Sequence, residues 1–67
     1  MKGTVTAFDE RRGLGTITGA DGNEYPFHST RIADGSRVVA LNAAVTFEPV
    51  AGHLGRFEAT AITPRTG

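Results

Sequence analysis

The chain has 67 residues and no cysteine, and its seven Lys/Arg balance seven Asp/Glu to a formal net charge of +0 at pH 7. No disulfide or thiolate–metal site can staple it, and a chain this short buries only about 60% of its unfolded surface, so marginal stability is expected. Neutrality weighs against a strongly basic grip on phosphates, though a small basic patch can sit on a neutral protein.

Short alternating runs follow one another along the chain. Val5 and Ala7 alternate with Thr4, Thr6 and Phe8, and Asp9-Glu10-Arg11-Arg12-Gly13 reads as a hairpin loop. Ile17 follows Gly15, with Leu14, Thr16 and Thr18 on the other face; Ala20-Asp21-Gly22-Asn23 is a second loop, its Asp-Gly pair suited to positive φ. Tyr25 and Phe27 alternate with Glu24, Pro26 and His28. Ala33-Asp34-Gly35-Ser36 opens a longer connection, in which residues 37–43 fit either a helical turn or an extended crossover. Val45 and Phe47 then alternate with Ala44, Thr46 and Glu48, Ala51-Gly52-His53-Leu54-Gly55 makes a last hairpin, and Phe57, Ala59 and Ala61 alternate with Glu58, Thr60 and Ile62. Five period-2 segments predict five strands.

With no internal repeat or linker, residues 1–67 read as one domain. Three hairpin-connected strands, a long connection and a final hairpin predict a small all-β, antiparallel Greek-key barrel, since closure removes aggregation-prone edges. By pattern alone it is either an OB-fold or an SH3-like barrel. Val5, Ile17, Tyr25, Phe27, Ile32, Val45 and Phe47 are the expected core. No apolar run approaches the ~20 residues of a membrane span, and Met1-Lys2-Gly3-Thr4 lacks the apolar core of a secretory leader. The absence of cysteine fits a reducing cytoplasm. His28 and His53 have no ligand partners at metal-site spacing, Gly13-x-Gly15 alone is a weak phosphate motif, and no nucleophile elbow is present. Neither an enzyme nor a cofactor is expected.

Arg12-Gly13-Leu14-Gly15-Thr16-Ile17, followed by Tyr25-Pro26-Phe27-His28-Ser29, resembles the paired ribonucleoprotein motifs of the bacterial cold-shock proteins, Lys-Gly-Phe-Gly-Phe-Ile and Val-Phe-Val-His-Phe. Lys2-Gly3-Thr4-Val5-Thr6-Ala7-Phe8-Asp9 is similar to that family's opening, Ile32 matches an isoleucine after the second motif, and Val45-Thr46-Phe47-Glu48, Gly52 and Gly55 match its later strands. The resemblance covers nearly the whole chain and implies a five-stranded OB-fold barrel that binds single-stranded RNA or DNA as a chaperone or regulator of gene expression. The departures fall on the binding face: Ala7 replaces a tryptophan, Leu14 and Thr16 replace phenylalanines, and Pro26 and Ser29 replace outward aromatics.

Stacking on such rings is worth ~1–3 kcal/mol per base, so binding is expected to be weak. The expected reduced surface is Phe8, Arg12, Leu14, Thr16, His28, Arg31 and Arg56. Strict alternation puts Phe8 opposite Val5, as a retained stacking ring, and Arg12 takes the place of the first-motif lysine. The alternative is a repurposed barrel that meets a protein partner or forms a homodimer through Leu14, Thr16, Pro26 and Ser29, or through Val38-Val39-Ala40-Leu41. No membrane partner is expected.

Overall fold

The computed structural model describes residues 1–36, 38–52 and 55–65. Five strands, β1 (Lys2–Asp9), β2 (Leu14–Gly19), β3 (Glu24–His28), β4 (Ala44–Ala51) and β5 (Phe57–Pro64), are joined after β3 by a 3-10 turn, Ser29–Arg31. Each alternating segment of the sequence falls on one strand. All pair antiparallel in one sheet, in the order β3-β2-β1-β4-β5. The return of β4 to the flank of β1 after a three-strand meander is Greek-key connectivity.

The inner face is lined by Val5, Ile17, Tyr25, Phe27, Val45, Phe47, Ala59 and Ile62, and is capped by Ile32 and Val39 from the connection. Its curvature follows from one ring pair. Tyr25 on β3 and Phe47 on β4 are three strand spacings apart in the sheet order, which is about 14 Å in a flat sheet. Their ring centroids lie 5.0 Å apart. Two glycines permit this curl. A Cβ on Gly15 would stand 2.5 Å from Phe27 Cζ and 2.8 Å from the Ala7 carbonyl oxygen, and one on Gly3 would stand 2.6 Å from Ile17 Cγ2 and 2.9 Å from Phe47 Cε1.

The curl stops short of closure, which corrects the expected OB-fold barrel. β3 and β5 are sheet edges and share no ladder. β3 has only five residues, and Pro26 at its centre carries no N–H to donate. Among the described residues the chain beyond β3 makes one isolated parallel bridge, Ile32 with Ile62, and Ala33 N–H donates to the Ile62 carbonyl at 2.8 Å. The seam is pinned there and opens towards Pro26 and Phe57, where both line a groove.

Two irregularities reset which side chains face inward. In β1 the register shifts between Val5 and Ala7, so Thr6 is an extra residue. Phe8 thereby returns to the face of Val5, opposite Gly15, and stacks on Phe27 at 6.0 Å between centroids and 7° between planes. The expectation that Phe8 lies opposite Val5 is corrected for that reason. In the β4–β5 pair a shift between Thr46 and Glu48 accompanies Ala61 at φ 52. Ala59 and Ile62 both become core residues, although alternation had put them on opposite faces.

Among the described part of residues 37–43 there is no helix, and Arg37 lies outside the described residues. Ala43 N–H donates to the Ala40 carbonyl at 3.1 Å around Asn42, whose φ is 68. Val39 enters the core, while Val38 and Leu41 stay exposed. The loop reading of His53 also falls outside the described residues.

Two stability outcomes follow. Gly15→Ala forces the Phe27 ring aside and costs about 1–3 kcal/mol, read as a lower urea midpoint. Ala61→Val puts a β-branched residue at positive φ and lowers Tm by at least about 4–8 °C, whereas Ala61→Gly leaves Tm unchanged or raised.

Candidate nucleic-acid interface

Residues directly opposite one another in an antiparallel ladder share a face, so the register defines the outer surface of β1–β3. One row reads Asp9, Leu14, His28, and the next reads Ala7, Thr16, Pro26. Beyond them lie Thr4, Thr18 and Glu24, with the Thr6 hydroxyl 3.2 Å from that of Thr18. Leu14 is 47% exposed. Small, hydroxylic and aliphatic groups make up most of this wall.

His28 is held by the turn that follows it. Its Nδ1 accepts the Thr30 N–H at 3.2 Å and lies 3.0 Å from Thr30 Oγ1. The tautomer that accepts on Nδ1 carries its hydrogen on Nε2, which leaves one donor for a phosphate or a base edge. Arg12 belongs to a loop braced by Asp9, whose Oδ1 accepts the amides of Arg11 and Arg12 at 3.1 and 3.2 Å. Arg12 Nε is 3.9 Å from Asp9 Oδ2. An exposed pair at that distance contributes ~0–1 kcal/mol, so the guanidinium can turn to an incoming anion at little cost.

Arg12, Leu14, Thr16 and His28 thus gather at one end of the outer face. Phe8 does not join them as a free ring: it is half-buried on the inner side, and it reaches a shallow depression of ≈ 420 Å³ that Leu14, Thr16 and Pro26 also line. Ser29, expected on this face, is buried at 6% exposure where the 3-10 turn begins. Arg31 is exposed on that turn. Arg56 lies across the seam.

Two features escaped the sequence reading. Lys2 and Arg65 share a groove of ≈ 490 Å³ with Thr4, Thr6 and Thr18, at the far end of the same face, and among the described residues no carboxylate lines it. Phe57, read as an ordinary strand residue, is 58% exposed. It lines the seam groove of ≈ 560 Å³ with Arg56, Gly55, Asn23, Glu24, Tyr25, Pro26 and Thr16. A phenyl ring left that open forfeits on the order of 1 kcal/mol of burial. Phe57 pairs with Ala51 at the hairpin end of β4 and β5, the last rung of that ladder.

The wall of the seam groove is fixed by a polar triad. Tyr25 Oη donates to Asp21 Oδ2 at 2.5 Å, and Asn23 donates to the same carboxylate from its backbone and from Nδ2. The Tyr25 hydroxyl, then the Asn23 amide, hold the Asp21 carboxyl below its ordinary 3.8. The bond to Asp21, then burial, push the Tyr25 hydroxyl above 10.0.

Among the described residues no three His, Cys, Asp or Glu side chains gather to hold a metal, and no helix is long and apolar enough to cross a membrane. No protein-family model matches the chain, and no curated protein matches it significantly. The open sheet also departs from the closed barrel that the cold-shock resemblance implies.

Because the folded Asp21 is the stronger acid, its contribution is complete above the unfolded value near 3.8 and is lost as pH falls through the lower folded value. Tyr25 has the opposite sign: its contribution holds below 10.0 and is lost as pH rises through the raised folded value. Tyr25→Phe is therefore expected to be less stable than the parent at neutral pH. Its disadvantage should shrink in acid below 3.8 and in alkali above 10, as seen in urea midpoints across pH.

Proposed function

We propose that this protein binds single-stranded RNA or DNA weakly, through the outer face of β1–β3, and that it is a binding protein rather than an enzyme. The observation that carries the reading is the pair of adjacent rows, Asp9–Leu14–His28 and Ala7–Thr16–Pro26, flanked at one end by Arg12 and at the other by Lys2 and Arg65. Cations at both ends suit a phosphate backbone that runs along the strands. Between them Thr16 offers a hydroxyl, His28 a ring N–H, and Leu14 and Pro26 apolar contact for bases. The rings that ordinarily stack on bases are missing from these rows, and each is worth ~1–3 kcal/mol, so dissociation constants in the high micromolar range or weaker belong to this reading. A cytoplasmic setting, where single-stranded RNA is plentiful, goes with it.

A second reading has a specific observation behind it. β3 and β5 are free edges, and Val38, Leu41 and Val50 are exposed with Leu14 and Phe57, a combination that suits self-association.

The test restores what the rows lack. Leu14→Phe with Thr16→Phe puts two rings on the outer face and is expected to tighten binding of a hexathymidylate by about 10-fold or more in low-salt NMR titration. The parent protein should show shifts centred on Arg12, Leu14, Thr16 and His28. If neither protein shifts at millimolar oligonucleotide while sedimentation reveals concentration-dependent dimers, the nucleic-acid reading fails and self-association replaces it.

A further inference from the structure

The outer face ends at a feature that the binding reading leaves unused. Thr16 and Pro26 belong to it, and both also line the seam groove that Phe57 enters from the other edge of the sheet. Resting on the single-strand reading, we infer that this groove receives one nucleobase, stacked on Phe57, and that it favours bases bearing an exocyclic amino group.

Three properties converge on that occupant. The first is a flat apolar surface in the open. Phe57 is 58% exposed, the Pro26 ring is exposed on the same groove, and a volume of ≈ 560 Å³ leaves room for a planar heterocycle. Base stacking on an aromatic face is the contact such a ring makes well. The second is continuity. A strand crossing the row Ala7–Thr16–Pro26 reaches the groove without leaving the surface, and Arg56 at its rim can meet the adjoining phosphate.

The third is the character of the polar edge. Asn23 Nδ2 is engaged with Asp21 Oδ2 at 3.2 Å, which leaves Asn23 Oδ1 as an acceptor. Glu24 beside it is acceptor-only when ionised. The Tyr25 hydroxyl donates to Asp21, which does not line the groove. An edge rich in acceptors selects amino donors, as a carboxylate does with the N4 amino group of cytosine. Thymine and uracil carry no amino group and offer those acceptors only the single ring N3–H.

The experiment compares hexacytidylate and hexathymidylate by low-salt NMR titration of the parent, Phe57→Ala and Phe57→Leu. The parent should bind hexacytidylate several-fold more tightly, with shifts at Phe57 as well as on the outer face. Both variants should weaken binding about 10-fold, because leucine keeps the apolar bulk and loses the ring face. The open position of Phe57 means that both should retain the parent's dispersed spectrum.

Unchanged affinity in Phe57→Leu, or equal affinity for the two hexamers, would overturn the inference. Outer-face shifts persisting in that result would leave the broader reading standing. Loss of all shifts in the parent would remove both together.

Discussion

One extra residue in β1 controls the arrangement of this molecule. Thr6 has no partner in the ladder between Val5–Ile17 and Ala7–Thr16, so the inward and outward sides of the strand exchange beyond it. Phe8 can then lie over the side-chain-free position at Gly15 and stack on Phe27. The same exchange sends Ala7 and Asp9 outward, into line with Thr16–Pro26 and Leu14–His28. The packing at the rim of the core and the composition of the outer face are therefore two consequences of a single bulge. Bulges also increase local twist, which contributes to the curl of the sheet.

The curl is steep enough to bring Tyr25 against Phe47 across three strand spacings, and yet the two edges do not pair. Closure would require β3 to present a regular row of donors and acceptors. Its short length and its proline work against that, and the isolated bridge at Ile32–Ile62 takes its place. The unpaired stretch is where the groove forms. An incomplete cylinder leaves backbone edges open to association, and it also leaves a crevice that a closed ladder would fill.

Charge and shape on the outer face act in the same direction. Cations sit at the two ends of the outer face, beyond the rows on either side, and Asp9 offsets part of the charge at one end. Under the proposed single-strand reading, such a surface would hold a polyanion loosely and in a salt-dependent way. Without large rings in the rows, that reading gives the contact to hydrogen bonds from His28 and Thr16 in place of stacking. The exposed ring at Phe57 stands apart from those rows, on the opposite lip of the seam.

The sequence by itself determined the number of strands, their antiparallel meander and the seven expected core residues, because alternation of apolar and polar residues is a local property that each strand carries whole. It also placed Leu14, Thr16 and His28 on one face, since β2 and β3 keep strict alternation. It misplaced Phe8, Ile62 and Ser29. Thr6 and Ala61 look ordinary in a period-2 run, and Ser29 leaves the strand for a 3-10 turn that no local pattern announces. Only the tertiary structure decided that the sheet stays open and that Phe57 remains exposed. Both depend on how β3 and β5, far apart along the chain, meet across a curved core, and that distance is set by the summed twist of all five strands rather than by the residues of any one of them.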